Sequence, residues 1–214
     1  MDKSYFDTRL AYDAAREPLW RVLCGYLQRD VPDNARVLEL GGGYCHFINN
    51  IRAKEKHVVD TYAELAKHAA PGVVPHVQSC AELGNFEAGS FDAVFASNLF
   101  EHLDREQTAA TLAGARRILR EGGKLLIIQP NFKYAAREYF DDYTHRQIFT
   151  DMSLADLLSA SGFTPEKVVA RFLPFSVKSN GPKWPWLLKV YLSLPPALRP
   201  RAGQMYIVAR KSGS

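Results

Sequence analysis

The chain has 214 residues, 47% hydrophobic and 23% charged, which is enough for one domain with a proper core. Its formal charge of +4 is too mild to argue for nucleic acid, and Met1-Asp2-Lys3 does not open a signal peptide. No apolar run approaches the ~20 residues of a bilayer span, and three cysteines (Cys24, Cys45, Cys80) without metal-ligand spacing disfavour a disulfide scaffold or zinc site and fit a reducing, cytoplasmic compartment.

In chain order, residues 5–29 read as helix and residues 1–30 as a helical cap. Leu19, Val22, Leu23, Tyr26 and Leu27 recur at helical spacing, and Pro18 suits a helix start, so a break is expected before it. Val31-Pro32-Asp33-Asn34 is a turn. Val37–Leu40 then reads as a buried strand that ends in Gly41-Gly42-Gly43 and leads into a helix over Phe47–Lys56. Glycine has no Cβ to hold a ligand off the backbone, and the following helix offers free N–H groups. Glu39 stands two residues before Gly41, where a carboxylate suits a cationic ammonium or a fixed water but not an anionic pyrophosphate.

Glu39-x-Gly41-x-Gly43 resembles the first motif of class I S-adenosylmethionine-dependent methyltransferases, with Cys45 in place of that motif's third glycine. The dinucleotide fingerprint fits worse, because its last glycine would be His46. The resemblance implies S-adenosyl-L-methionine as cofactor. In the family an N-terminal segment often folds over it, which makes Tyr12 and Arg16 candidate contacts; ordinary packing and a solvated arginine is the favoured reading of the two.

A short strand, His57–Asp60, places Asp60 nineteen positions after Gly41. There an α/β cofactor fold puts a carboxylate that accepts from both ribose hydroxyls. The alternative is an N-cap for a helix over Tyr62–Ala70, a role Thr61 serves equally. Val74–Gln78 is a third strand. In the family an acid and a small residue follow and read the adenine edge. Here Cys80 replaces the acid and Ala81 is the small residue, which leaves adenine to backbone groups and to Glu82.

Phe91-Asp92-Ala93-Val94, a polar turn and Glu101-His102-Leu103 resemble the family's fourth motif. Asp92 is expected to make structural hydrogen bonds. Asn98 and Leu99 leave the strand's carboxyl end beside the cofactor, and His102 is either a base or a tie between helix and sheet. Glu106–Arg120 is an amphipathic helix ended by Glu121-Gly122-Gly123, and Lys124–Asn131 is a buried strand. Tyr134–Thr150, dense in aromatic and ionisable groups, follows that strand. Asp142 and His145 are candidates for an orienter–base pair acting on a hydroxyl; Asp141 with Asp142 is a weak metal pair, and no metal is expected. The wording of this segment is similar to bacterial methyltransferases of glycan and lipid-linked sugar pathways.

Thr150-x-x-Ser153 opens a helix over Leu154–Ser161, with Gly162 as cap. Strands follow over Lys167–Leu173 and Met205–Lys211. The roughly 30 residues between them are long for a hairpin and form an insertion, 174–204. Its stretch 183–192 is basic, aromatic and apolar, which suits a membrane interface, a second subunit, an acyl pocket or simply the core. From Pro165 onward nine basic residues face one acid, a net of +8, against −4 before it.

The reading is a single α/β domain, residues 1–214, with its cofactor core over 31–173. The resemblance implies a Rossmann-like fold, a mostly parallel seven-stranded sheet with helices on both faces. The expected activity is O-methylation of a small-molecule or lipid- or glycan-linked acceptor. The alternative is a non-catalytic binding protein of the same fold. Asn-Pro-Pro-Tyr-type residues are absent after the fourth strand, which argues against nucleic-acid bases as acceptors.

Overall fold

The central strands are apolar at consecutive positions, as strands covered on both faces must be. In the computed structural model, which describes residues 12–174 and 184–213, seven strands form one sheet. They are β1 (Arg36–Leu40), β2 (Glu55–Asp60), β3 (Val73–Val77), β4 (Phe91–Ser97), β5 (Leu119–Pro130), β6 (Phe163–Pro174) and β7 (Ala202–Lys211), in the order β3-β2-β1-β4-β5-β7-β6. The first five pair in parallel, and β7 runs antiparallel to β5 and β6. This is the mostly parallel seven-stranded sheet that the resemblance implies.

Side-chain alternation sorts the core into two layers. Leu38, Val94, Leu125 and Ile207 point to one face, where α4 (Arg105–Ile118) and α6 (Asp151–Ala160) bury Leu112, Ile118, Leu154 and Leu158. Val37, Phe95, Leu126 and Tyr206 point to the other. There α1 (Glu17–Leu27), α2 (His46–Asn50), α3 (Leu65–His68) and α7 (Pro185–Ser193) bury Leu23, Leu27, Phe47, Leu65 and Leu192. A further short helix, α5 (Phe132–Ala135), follows β5.

Several expected boundaries are corrected. The expected 5–29 helix lies partly outside the described residues. What is described is a 3-10 turn, Ala14–Arg16, capped by Asp13, followed by α1 with Pro18 in its first turn. The helix expected over Phe47–Lys56 stops at Asn50, because the asparagine amides turn to other segments: Asn49 bonds His68 O and Ala70 N, and Asn50 bonds Glu17. The helix expected over Tyr62–Ala70 shrinks to α3, which has no side-chain cap. Gly122-Gly123 does not end α4. Leu119 is already extended and pairs with Phe91, so both glycines lie in β5. The Thr150–Ser153 capping box does open α6, at Asp151.

In the insertion 174–204, residues 175–183, Lys183 among them, fall outside the described residues. Beyond them α7 packs Leu188, Tyr191 and Leu192 on the core layer of α1. The buried Arg199 donates to Leu194 O, Leu192 O and Phe172 O, which satisfies the end of that helix.

Asp30, just past α1, ties this layer to the sheet. It takes Lys167 Nζ on both oxygens at 2.7 Å and the Tyr206 hydroxyl at 2.8 Å. Asp30→Ala leaves that buried hydroxyl without its acceptor and the lysine without its counter-charge. Lys167 is one-third exposed, so the expected cost is at the low end for a broken buried pair, about 2–3 kcal/mol. Differential scanning calorimetry should read this as a fall in Tm of roughly 5–10 °C; an unchanged Tm would deny the tie its role.

Candidate active site

The carboxyl ends of β1, β2 and β4 meet around a cavity of about 260 Å³. Its floor is the glycine turn. Gly41 and Gly43 both take positive φ, 68° and 50°. Gly41 N and Gly42 N donate to Val59 O, and Gly43 N donates to Asp60 Oδ2 at 2.8 Å, so the turn is pinned to the end of β2. A Cβ on Gly42 would stand 2.1 Å from Val58 Cγ2, and one on Gly41 would stand 2.9 Å from Leu99 Cδ1. Neither position accepts a side chain without displacing a neighbour. Cys45, where the resembled motif has glycine, keeps the left-handed conformation (φ 59°) as the N-cap residue of α2. Its buried thiol faces Leu65 O at 3.9 Å.

Glu39 lies beneath this turn. Its Oε2 accepts from Ile48 N at 3.0 Å, which fastens β1 to α2. Burial pushes its carboxyl up to about 8, against the pull of that hydrogen bond, and Asp60 adds to the rise. Asp60 takes Gly43 N on one oxygen and Tyr62 N, at 2.9 Å, on the other, so it organises both the glycine turn and the chain beyond β2.

Of the residues singled out in the sequence, Glu39, Gly41, Gly43, Asp60, Thr61, Cys80, Asn98, Leu99 and His102 line the cavity, whereas Ala81, Glu82, Asp142 and His145 are not among its walls. Glu82 is exposed, and Ala81 N donates to Ser79 Oγ at 3.2 Å. Cys80 receives the Thr111 hydroxyl at 3.6 Å. Asn98 has φ 49° and accepts from Gln204 Nε2. Asp92 stands at the other end of β4, holding Arg36 N and Arg120 Nε, the structural role expected of it.

Arg16, read as solvated, lines the cavity, as do Trp20 and His46. His46 Nδ1 meets Glu17 Oε2 at 3.1 Å and its ring stacks on Trp20, while burial lowers its basicity. These contacts bring α1 against the glycine turn. Trp20 is in helical register with Leu23, Cys24 and Leu27, the residues α1 buries, and that spacing is the local signal that could have found it. Tyr12 is more than half exposed and packs edge-on to Tyr44.

The segment after β5 closes one side. Arg146 N and Gln147 N donate to Glu101 O at 2.7 and 3.2 Å, and the Tyr139 hydroxyl donates to Gln147 O. Thr144 Oγ1 donates to Asp142 Oδ1 at 2.6 Å and lies 2.9 Å from His102 Nδ1. A hydroxyl has one proton. With it given to Asp142, His102 must donate from Nδ1. Asp142, expected to orient His145, is thus linked through Thr144 to His102.

A family profile described as "Methyltransferase domain" matches residues 12–168. The chain belongs to that methyltransferase family. Its fold is the class I fold, the protein is an enzyme, and its cofactor is S-adenosyl-L-methionine. No curated protein sequence matches the chain. Many solved structures share the fold of this methyltransferase, three of which follow. A methyltransferase from Haloferax volcanii in complex with the Trm112 activator is 13% identical, with TM-score 0.68 over 92% of each chain. A SAM-dependent methyltransferase from Archaeoglobus fulgidus is 19% identical, with TM-score 0.66 over 98% of this chain and 100% of its own. The 1,6-didemethyltoxoflavin-N1-methyltransferase of Burkholderia thailandensis, with bound S-adenosylhomocysteine, is 21% identical, with TM-score 0.61 over 98% and 84%.

The walls of the cavity fit this cofactor. A side-chain-free turn, a carboxylate at the end of β2 and the apolar Leu99 are what a nucleoside with two ribose hydroxyls requires. Asp60→Ala is expected to weaken S-adenosylhomocysteine binding by ~1.5–3 kcal/mol, the worth of a charge-assisted hydrogen bond. Calorimetric titration checks it, and unchanged affinity would remove the ribose assignment.

Proposed function

We propose that this methyltransferase methylates a hydroxyl oxygen of a small-molecule or lipid- or glycan-linked acceptor, in the cytoplasm and of bacterial type. The cofactor supplies an activated methyl group on a sulfonium. The residues of the chain hold and align: Asp60 would take the ribose hydroxyls, the Gly41–Gly43 turn would lie under the methionine portion, and Leu99 and Cys80 would flank the adenine. The observation that carries the oxygen acceptor is the Asp142–Thr144–His102 chain of hydrogen bonds beside the cavity. It puts a proton on Nδ1 of His102, and Nε2 would accept a proton from an acceptor hydroxyl. Arg146, on the same wall, would meet an anionic acceptor such as a phosphate-bearing one.

The first experiment is calorimetric titration with S-adenosylhomocysteine, with NAD as control, followed by turnover with hydroxylated and amine acceptors in parallel. Binding of the first ligand alone and methylation of a hydroxyl support the reading; transfer to amines only would overturn the oxygen assignment.

A peripheral membrane contact is part of the same proposal. Trp184 (54% exposed), Trp186 (61%) and Val190 (53%) stand on the outer side of α7 beside Lys189, with the two indoles stacked at 5.8 Å. No helix among the described residues is long and apolar enough to cross a membrane. Co-sedimentation with anionic vesicles, lost on Trp186→Ala, is the expected result; equal sedimentation of both forms would remove the contact.

A further inference from the structure

We propose that Glu101, His102 and His145 form a binding site for a divalent first-row transition cation of the zinc type. One ligand atom from each of the three, a carboxylate oxygen and two imidazole nitrogens, lies within 4.8 Å of the others. Sequence position hides this cluster. Glu101 and His102 are adjacent in the 3-10 turn Phe100–His102, and His145 comes from the segment after β5. The backbone bonds from Arg146 N and Gln147 N to Glu101 O hold the two stretches together.

The second observation is the state of Glu101. Its side chain is fully buried (0% exposed), and both carboxylate oxygens lack a hydrogen-bond partner among the described residues. A buried carboxyl with two orphaned oxygens is costly unless something charged meets it. The imidazoles of His102 and His145 lie near it, and Asp142 is a like charge rather than a counter-charge. The ring of His102 is oriented for such a role, because its Nδ1 meets Thr144 Oγ1, itself anchored on Asp142. The two rings stand 4.8 Å apart at 65°, so they converge without stacking.

Two imidazoles and one carboxylate are the donor set of three-ligand sites that keep a position open, and they select zinc, iron or cobalt over the oxygen-seeking magnesium and calcium. Asp141 and Asp142, the pair weighed from the sequence, are not in the cluster: Asp142 is bound to Thr144. Because His102 also lines the cofactor cavity, a cation held by it would stand at that cavity's wall, within reach of an acceptor bound there. A hydroxyl taken there would lose its proton more readily. That last consequence rests on the O-methylation reading; the cation site itself does not.

The test is titration of tag-free, chelator-treated full-length protein with Co²⁺, without cofactor, followed by ligand-field absorption and by Zn²⁺ competition. One equivalent of Co²⁺ should develop visible bands that Zn²⁺ abolishes. Glu101→Gln, which keeps the side-chain size, and His145→Ala should each weaken binding by more than about tenfold, with thermal melts confirming that they fold. His76→Ala, whose ring pairs with His57 at 3.0 Å elsewhere, should keep wild-type affinity. Absence of the bands in folded wild type, wild-type affinity in folded Glu101→Gln, or an equal loss in His76→Ala would overturn the site. Titration of the same protein with S-adenosylhomocysteine separates this failure from failure of the methyltransferase reading, because Glu101 and His145 are not among the walls of the cofactor cavity.

Discussion

Replacing His102 by alanine should lower turnover about 10²–10⁴-fold, the usual worth of a positioned proton acceptor, while S-adenosylhomocysteine affinity changes far less. The imidazole offers Nε2 because Thr144 and Asp142 fix the proton on Nδ1. The loss follows whether Nε2 takes the proton itself or holds a cation that makes the proton leave. Thr144→Val keeps the imidazole and removes its anchor, so turnover should fall by less and the lower limb of its pH profile should shift. His145→Ala should also reduce turnover more than cofactor affinity. Steady-state kinetics on a methylated acceptor checks all three, and wild-type turnover in His102→Ala would take the histidine out of the chemistry.

Glu39→Gln should flatten the dependence of stability on pH. The ordinary carboxyl value is 4.5, and in the fold burial raises it to about 8. Between those two values the folded chain holds a proton that the unfolded chain has released. The stabilisation from holding it is therefore full below pH 4.5, declines as pH rises, and is gone above about 8. The groups that face Glu39 do not reverse the sign: Asp60 pushes the same way, the thiols of Cys24 and Cys45 are raised and neutral, and only Ile48 N–H opposes. The full amplitude is at most ~5 kcal/mol. The glutamine amide still accepts from Ile48 N–H and carries no titrating proton. Denaturant unfolding from pH 5 to pH 9 should therefore give the variant a clearly shallower decline than wild type; parallel curves would mean that Glu39 is ionised in the fold.

Much of this arrangement was legible because it is local. The glycine turn, Asp60 at the end of β2 and the loop after β4 are each set by a handful of consecutive residues, and all come together at one edge of the sheet. The capping box before α6 is equally local. What the chain order concealed was long-range. Thr144 is 42 residues from His102, and neither residue alone says that a hydroxyl will stand between imidazole and carboxylate. Glu101 read as part of a familiar word, and only the fold reveals that its carboxyl is sealed from water. The shortness of α2 was hidden for the same reason: Asn49 and Asn50 fit a helix locally, and their amide partners lie about twenty or more residues away.

The placement of β7 sets the order in which this chain can fold during synthesis. Among the described residues β6 pairs with β7 alone, and β7 lies between it and β5. As the chain emerges from the ribosome, β1 to β5 can assemble with their helices, and the glycine turn with them. β6 must then wait, its edge unpaired, until β7 has been made and wedged into place. For that interval the apolar faces later covered by Tyr206, Ile207 and Val208 are open to other chains, which is the interval in which nascent protein is most exposed to misassociation. Removing β7 would accordingly strip both strands from the sheet at once, leaving β5 as a bare apolar edge beside the acceptor wall.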